Sequence, residues 1–253
     1  MKRAEGGWSR TDLPWLAWGA ALLVAFGLKR FYSRASAEDL AWILAPTARA
    51  VGWLRGETLA SSGAGWMAPD GSYFIAPACA GVSFLILAWT VAVLGFSHRL
   101  RSPAGRLGWW IGSLFGAYAL TILVNTLRIV AAVELYRLGS VAGLTAEQAH
   151  RALGIGLYLG ALWTVYGALD RWTGRRRAGA ASVASGGSAL AAILLVPGLY
   201  LGMTLGVPLL NGHFRQSGER YVEHAAVVSL AAVATAGAAA LWHARERKLR
   251  KKL

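Results

Sequence analysis

The sequence has one cysteine, Cys79, among 253 residues, so it forms no intrachain disulfide and no metal site built from several thiolates. It is also poor in charge: Asp, Glu, Lys and Arg make up 15% of the chain, against about 25% in an ordinary soluble domain. Acids are scarcest, with 12 Asp and Glu against 26 Lys and Arg. With 56% hydrophobic residues, this composition excludes a disordered chain and predicts an integral membrane protein rather than a soluble globule.

Long apolar runs indicate where the chain crosses the membrane, because a transmembrane helix needs about 20 mostly apolar residues. Six runs are clear: Leu13–Leu28, Ala80–Phe96, Leu107–Val124, Ala152–Leu169, Ala189–Leu210 and Ala225–Trp242. Two shorter runs are ambiguous: Leu40–Leu54, as a tilted span or an interfacial helix, and Ile129–Leu138. The expected fold class is therefore all-α, a polytopic membrane bundle of six to eight transmembrane helices.

Basic residues predict the orientation. Three connecting segments together hold thirteen Lys and Arg and two acids: 97–106, 170–179 and 244–253. Three others, alternating with them along the chain, hold four basic residues and six acids: 55–78, 134–150 and 211–223. The positive-inside rule places the first set in the cytoplasm and the second set outside. The basic excess is thus explained by membrane flanks, and no nucleic-acid partner is expected.

The N-terminal quarter fits this orientation less well. Lys2, Arg3 and Arg10 favour a cytoplasmic start, and three further basic residues would then face outward unless Leu40–Leu54 spans the membrane: Lys29, Arg30 and Arg34.

Composition also divides the chain into three parts. Residues 1–172 form the expected membrane-embedded catalytic core, and the stretch 173–188, rich in Arg, Gly, Ser and Ala, is the expected cytoplasmic linker. Residues 189–253 form a C-terminal transmembrane hairpin with a basic cytoplasmic tail, whose charge suits contact with anionic membrane lipid.

Three residues far apart in sequence are expected at the same outer boundary. Cys79 precedes the span Ala80–Phe96, Arg128 follows Leu107–Val124, and His150 precedes the next span. A cysteine at a helix start faces unpaired backbone N–H groups and the positive end of the helix dipole, which favour the nucleophilic thiolate. A thiol, a guanidinium and an imidazole together predict a nucleophilic site.

Each of these residues also has an ordinary structural interpretation. A lone cysteine is often a small buried hydrophobe, a boundary arginine often extends its charge to the surface, and a first-turn histidine is often solvated. Asn125 lies three residues before Arg128, so a helix places both on one face and makes the amide a supporting group. The five histidines lack zinc-peptidase spacing and no glycine-rich phosphate loop occurs, so neither metal nor cofactor is expected.

The motifs Pro77-Ala78-Cys79-Ala80-Gly81 and Asn125-Thr126-Leu127-Arg128, followed by His150, resemble the exosortase/archaeosortase family of membrane cysteine transpeptidases. The resemblance runs from about Leu40 to Trp172. One departure is Ala80, where the family commonly has serine. The resemblance implies that Cys79 is the nucleophile, His150 the general acid/base and Arg128 the donor to the oxyanion.

The resemblance also implies the substrate: exported proteins with a C-terminal sorting signal made of a short motif, one transmembrane helix and a basic tail. Cleavage would occur at the outer face of the cytoplasmic membrane, and the acyl group would pass to an acceptor. Two non-enzymatic alternatives remain from the residues alone. One is a transport protein with Arg128 and Asn125 lining a polar path, and the other is an assembly partner that docks through its C-terminal hairpin.

Overall fold

The computed structural model describes residues 13–100, 102–139, 145–177, 195–206, 209 and 218–250. This part of the chain is predominantly helical, as expected. Its helices are α1 Leu13–Tyr32, α2 Ala41–Arg55, α3 Val82–Phe96, α4 Pro103–Leu138, α5 Ala146–Arg177, α6 Leu195–Gly206 and α7 Gly218–Arg250. Short 3-10 turns at Pro77–Cys79 and Ser97–Arg99 flank α3, and α6 ends in a π-helical turn over Gly202–Gly206.

Three helical segments of the described chain are long and apolar enough to cross a membrane: Pro77–Arg99, Pro103–Leu138 and Ala146–Gly174. Leu195–Gly206 and Ala225–Ala238 are apolar but shorter. The expectation of several membrane-crossing helices is therefore met for three of them, and the larger number of six to eight stays a prediction.

Helix α3 is the centre of the bundle. Almost all of its side chains are buried, and it packs against α1, α4 and α5. Helix α4, in contrast, exposes large apolar side chains such as Leu107, Phe115 and Leu123, which are 62%, 70% and 58% exposed. A helix that is apolar all round is buried in protein or in lipid. Helix α3 is buried in protein, and the exposed apolar side chains of α4 suit it to lipid.

The bundle has two polar ends, which we call the Arg99 end and the Cys79 end. At the Arg99 end, the Arg99 guanidinium contacts the Asp170 carboxylate at 2.8 Å and so joins the ends of α3 and α5. At the Cys79 end, Arg55 contacts Glu134 at 2.6 Å. In the described chain, residues of the basic segments 97–106 and 170–179 thus lie at one end, and residues of the acidic segments 55–78 and 134–150 lie at the other, in agreement with the alternation in the sequence.

Helix α1 runs antiparallel to α3, because Trp18 contacts His98 near the Arg99 end and Lys29 donates a hydrogen bond to Ser83 near the Cys79 end. Helix α2 then lies along the second half of α4. Trp42 at its start stacks on Tyr118, and its last residue, Arg55, reaches Glu134. Helix α2 therefore does not return the chain to the Arg99 end. Lys29 and Arg30 in the last turn of α1, and Arg34 just after it, lie toward the Cys79 end.

A small antiparallel sheet, which the sequence did not predict, precedes the cysteine. Its strands are β1 Ala60–Ser61, β2 Trp66–Met67 and β3 Phe74–Ile75, in the order β1-β2-β3. Ile75 is 1% exposed and packs into a hydrophobic cluster with α2 and α3. This buried anchor fixes the segment that enters the Pro77–Cys79 turn.

The predicted linker overlaps the end of α5, which continues to Arg177; residues 178–188 lie outside the described part of the chain. Side chains of the C-terminal hairpin pack with the rest of the bundle. Val196 and Tyr200 of α6 and Val228 of α7 belong to the same hydrophobic cluster as α3 and α5.

Candidate active site

The backbone around Cys79 forms a tight turn between β3 and α3. Pro77 opens the turn with its preset φ, and the Cys79 N–H donates to the Ala76 carbonyl at 2.8 Å. Gly81 then adopts φ 71° and caps α3. Cys79 was expected to begin the helix, but α3 begins three residues later because the left-handed Gly81 interrupts the helical path. The cysteine therefore sits on a turn, with a half-buried side chain.

Gly81 also brings α3 close to α4. A Cβ atom at this position would lie 3.1 Å from Cγ2 of Thr121 and 3.1 Å from Cγ of Asn125. Glycine is thus required here for both its positive φ and its missing side chain. The close approach lets the Asn125 amide reach the backbone of the cysteine turn.

Asn125 ties three elements together. Its side chain is 0% exposed, and Nδ2 donates a short hydrogen bond to the carbonyl oxygen of Cys79. Its Oδ1 accepts from Nε of Arg128 at 3.2 Å and from the hydroxyl of Tyr158 at 3.1 Å. One buried amide therefore positions the cysteine turn, the arginine of α4 and a tyrosine of α5.

Arg128 is held by neutral groups. Its guanidinium carbon lies 5.4 Å from the centre of the Tyr158 ring, in a cation–π contact. Its stem passes Gly154, where a Cβ atom would be 3.6 Å from Cδ of the arginine. In the described chain no carboxylate pairs with this guanidinium. Its charge is therefore not neutralised by an acid there.

His150 lies in the first turn of α5, at the same end of the bundle. A reciprocal cap closes this turn: the Thr145 N–H donates to Oε1 of Gln148, and the Gln148 N–H donates back to Oγ1 of Thr145. The imidazole contacts the Tyr136 ring at 5.8 Å between centroids, and its Nδ1 is buried without a hydrogen-bond partner. No hydrogen bond joins His150 to Cys79 among the described residues.

Sequence reasoning did not single out Tyr158, because a tyrosine in an apolar helix is commonly a membrane-interface residue. Its ring stacks on Phe84 of α3 at 4.7 Å while its hydroxyl reaches Asn125. The sequence did contain a signal for Tyr158, in the spacing of residues along α5. His150, Gly154 and Tyr158 are four residues apart, so one face of α5 carries all three and Arg128 lies against that face.

A second polar group, the Arg55 cluster, lies at the same end and consists of Arg55, Glu57, Tyr73, Glu134 and Arg137. Arg55 contacts the Glu57 carboxylate at 2.7 Å and Glu134 at 2.6 Å, and Tyr73 donates a short hydrogen bond to Glu57. The Tyr73 hydroxyl, and secondarily Arg55, hold the pKa of Glu57 below its usual value. Burial, together with that carboxylate, raises the pKa of Tyr73.

A cavity of about 240 Å³ lies beside the Arg55 cluster. Its lining residues are Ser72, Tyr73, Val133, Tyr136 and Arg137. Tyr136, which lines this cavity, also contacts the His150 ring. Across the described ranges no three His, Cys, Asp or Glu side chains gather where a metal ion could be held.

Comparison with protein-family models finds no match for this chain, and comparisons with curated proteins and with solved structures find no significant match either. The fold and site define a helical protein with at least three helices suited to a membrane. At one end of its bundle, a thiol turn and a guanidinium are linked through one buried amide.

Proposed function

We propose that this protein is an exosortase-like membrane cysteine protease or transpeptidase. It cleaves the C-terminal sorting signal of exported proteins at the outer face of the cytoplasmic membrane and transfers the product to an acceptor. In this proposal Cys79 is the nucleophile, Arg128 stabilises the oxyanion, His150 transfers protons, and Asn125 is a positioning residue.

The observation that carries the proposal is the link through Asn125. Its amide hydrogen-bonds both the backbone of Cys79 and the side chain of Arg128. Because no carboxylate of the described chain neutralises Arg128, its N–H groups are available to a substrate oxygen. A positioned cation beside a thiol suits acyl transfer, in which negative charge develops on the carbonyl oxygen.

The chemistry proceeds in two stages. The Cys79 thiolate attacks the peptide carbonyl, the C–N bond breaks, and His150 protonates the departing amine as a thioester forms. An incoming amine or water, deprotonated by His150, then attacks the thioester and releases the thiolate. An amine gives transpeptidation, and water gives proteolysis. Within the described chain, Nδ1 of His150 has no hydrogen-bond partner that would compete for this nitrogen.

The cavity beside His150 supports a position for the substrate. It is lined by two tyrosines and an exposed arginine, and one of these tyrosines, Tyr136, also contacts the imidazole. A short extended peptide preceding a transmembrane helix would occupy this cavity, with its scissile bond near the cysteine turn.

The test is cleavage of a tagged, membrane-anchored substrate carrying such a signal, co-expressed with the protein. Since Cys79 is the only cysteine, a thiol-reactive probe also reports on this residue alone. We expect Cys79→Ser to abolish cleavage and His150→Ala to remove nearly all of it. The matched control is Ala78→Ser, an exposed neighbour in the same turn, which should cleave normally.

Unchanged cleavage by Cys79→Ser at equal protein levels would eliminate the cysteine mechanism. If the purified wild-type protein binds the substrate without cleaving it, the assembly-partner alternative is favoured instead.

A further inference from the structure

An apolar groove opens between α1, α3 and α6, and its lining includes Lys29, which lies near the cysteine turn. Its wall residues are Leu22, Ala25, Phe26, Lys29, Ile86, Leu87, Thr90, Gly198, Leu199, Gly202 and Met203. The hydroxyl of Thr90 donates to the Ile86 carbonyl within its own helix, so Thr90 offers no donor to the groove. Lys29 is thus the one charged side chain on this wall.

Lys29 lacks an acidic partner. Its Nζ donates to Oγ of Ser83 at 2.9 Å and lies 5.3 Å from the centre of the Tyr32 ring. Both contacts are to neutral groups, and no carboxylate among the described residues pairs with it. A cation at the mouth of an apolar groove fits a ligand with an anionic head and a hydrocarbon tail.

The dimensions of the groove favour a hydrocarbon chain over a helix. The cavity measures about 220 Å³, and an apolar cavity of about 150 Å³ is large enough for benzene. A helix with its side chains is about 10–12 Å across. Gly198 and Gly202 leave two positions of the α6 wall without side chains, and neither would meet any atom within 4 Å if a Cβ were added.

The α6 wall includes a π-helical turn, Gly202–Gly206. Such turns are rare and occur frequently at functional sites, because they widen a helix locally. Gly202 and Met203 belong both to this turn and to the groove. The π-helical backbone therefore forms part of the groove wall.

We propose that this groove binds one anionic phospholipid of the membrane leaflet at the Cys79 end. The lipid phosphate accepts hydrogen bonds from Nζ of Lys29 and Oγ of Ser83, and an acyl chain lies along the groove between α1 and α6. Ser83 is four residues after Cys79, so the lipid head lies next to the cysteine turn. The site requires a membrane location but does not depend on enzymatic activity.

The test is native mass spectrometry of the full chain in detergent, titrated with phosphatidylglycerol or with phosphatidylcholine. We expect the wild type to retain one phosphatidylglycerol in preference to phosphatidylcholine. Lys29→Gln should weaken phosphatidylglycerol retention at least about tenfold, because a charge-assisted hydrogen bond is lost. Lys29→Arg should largely restore it. Gly198→Leu, which fills the groove but keeps the cation, should also reduce retention.

The matched control is Arg30→Gln, which removes the same charge from an exposed neighbour outside the groove. It should retain the lipid as the wild type does. Equal loss in Arg30→Gln would reduce the effect to general surface charge and overturn the site. Undiminished retention in Lys29→Gln, or in Gly198→Leu, would equally overturn it. None of these readouts involves cleavage, so a failed cleavage test leaves this result independent.

Discussion

Two arginines lie at the Cys79 end of the bundle in opposite electrostatic settings. Arg55 contacts two carboxylates, Glu57 at 2.7 Å and Glu134 at 2.6 Å. Arg128 contacts an amide oxygen at 3.2 Å and the face of an aromatic ring. The first guanidinium joins three chain segments and its charge is balanced locally. The second is also fixed in place, but no carboxylate of the described chain balances its charge.

The difference indicates which arginine is structural and which is suited to a ligand. An arginine paired with carboxylates must lose those partners before it binds an anion, and the loss costs free energy. An arginine positioned by neutral groups pays no such cost, because its remaining N–H donors are unused. The surroundings of the two arginines should therefore respond differently to perturbation, and three experiments test this.

The largest effect is expected for Arg128→Lys. The substitution keeps the positive charge but removes the planar fork that bonds Asn125 and would hold an oxyanion. We expect cleavage of the tagged substrate to fall by about 10²–10³-fold, as when one oxyanion donor is removed. The matched variant is Arg55→Lys, in which lysine can still pair with Glu57 and Glu134, and cleavage should change less than about tenfold.

Protein levels by immunoblot and membrane insertion must be equal in the two variants. Normal cleavage by Arg128→Lys would assign this residue to the lipid boundary and leave Cys79 and His150 without their electrostatic partner. Equal loss in both variants would erase the distinction between the two arginines.

The second experiment perturbs the backbone that connects Cys79 to Arg128. Gly81 and Gly56 have nearly the same φ, 71° and 69°, but only Gly81 has neighbours where a Cβ would be. Gly56→Ala should cost about 1–2 kcal/mol from the left-handed conformation alone. Gly81→Ala should cost about 2–5 kcal/mol, because Asn125 and Thr121 must also move.

Thermal unfolding in detergent measures both losses, and thiol labelling of Cys79 reports the local consequence. Labelling kinetics should change in Gly81→Ala and stay as in the wild type in Gly56→Ala. Equal destabilisation by the two substitutions would mean that the close approach of α3 to α4 contributes nothing.

The smallest effect is expected from acidification. Because the folded-state pKa of Glu57 is lowered, its pairing contributes stability that is fully present above the unfolded pKa, about 4.3. That stability is lost as pH falls through the folded-state pKa. The thermal midpoint should therefore show no pH dependence arising from Glu57 between pH 8 and 5, and a decrease below about pH 4.

The control is Glu57→Gln, which should lose part of this decrease while retaining a hydrogen bond to Tyr73. An acid response identical in Glu57→Gln and in the wild type would remove Glu57 from the Arg55 cluster's contribution to stability. The amide of Asn125 does not titrate, so the link from Cys79 to Arg128 has no corresponding dependence.

The sequence predicted which candidate residues share one end of the bundle better than it predicted the path of the chain. Apolar runs and charged flanks predicted the central parts of α3, α4 and α5, and so the gathering of Cys79, Arg128 and His150 at one end. The run Leu107–Val124 was expected to end before Arg128, but α4 continues to Leu138 and contains Arg128. Spacing of three residues predicted that Asn125 faces Arg128. The resemblance to a transpeptidase family stays a prediction, as do the roles it implies.

Other features left no readable pattern. Strands of two residues cannot display the alternation that identifies a strand, so the sheet before Cys79 was not predicted. Helix α2 has the composition of a short span, and only its contacts with Tyr118 and Glu134 reveal that it follows α4. The bond from Asn125 to the Cys79 carbonyl depends on Gly81, whose packing against α4 is a tertiary property.

The length of α4 determines how far from the membrane hydrocarbon the proposed reaction would occur. Its 36 residues extend about 54 Å, well beyond the roughly 30 Å of bilayer hydrocarbon. Arg128 lies 25 residues after Pro103, which places it about 38 Å along the axis. If α4 enters the hydrocarbon near its first turn, the guanidinium stands several ångströms beyond the opposite boundary. A substrate would then be cut at a fixed distance above the lipid, so the length of α4 would determine which peptide bond is cleaved.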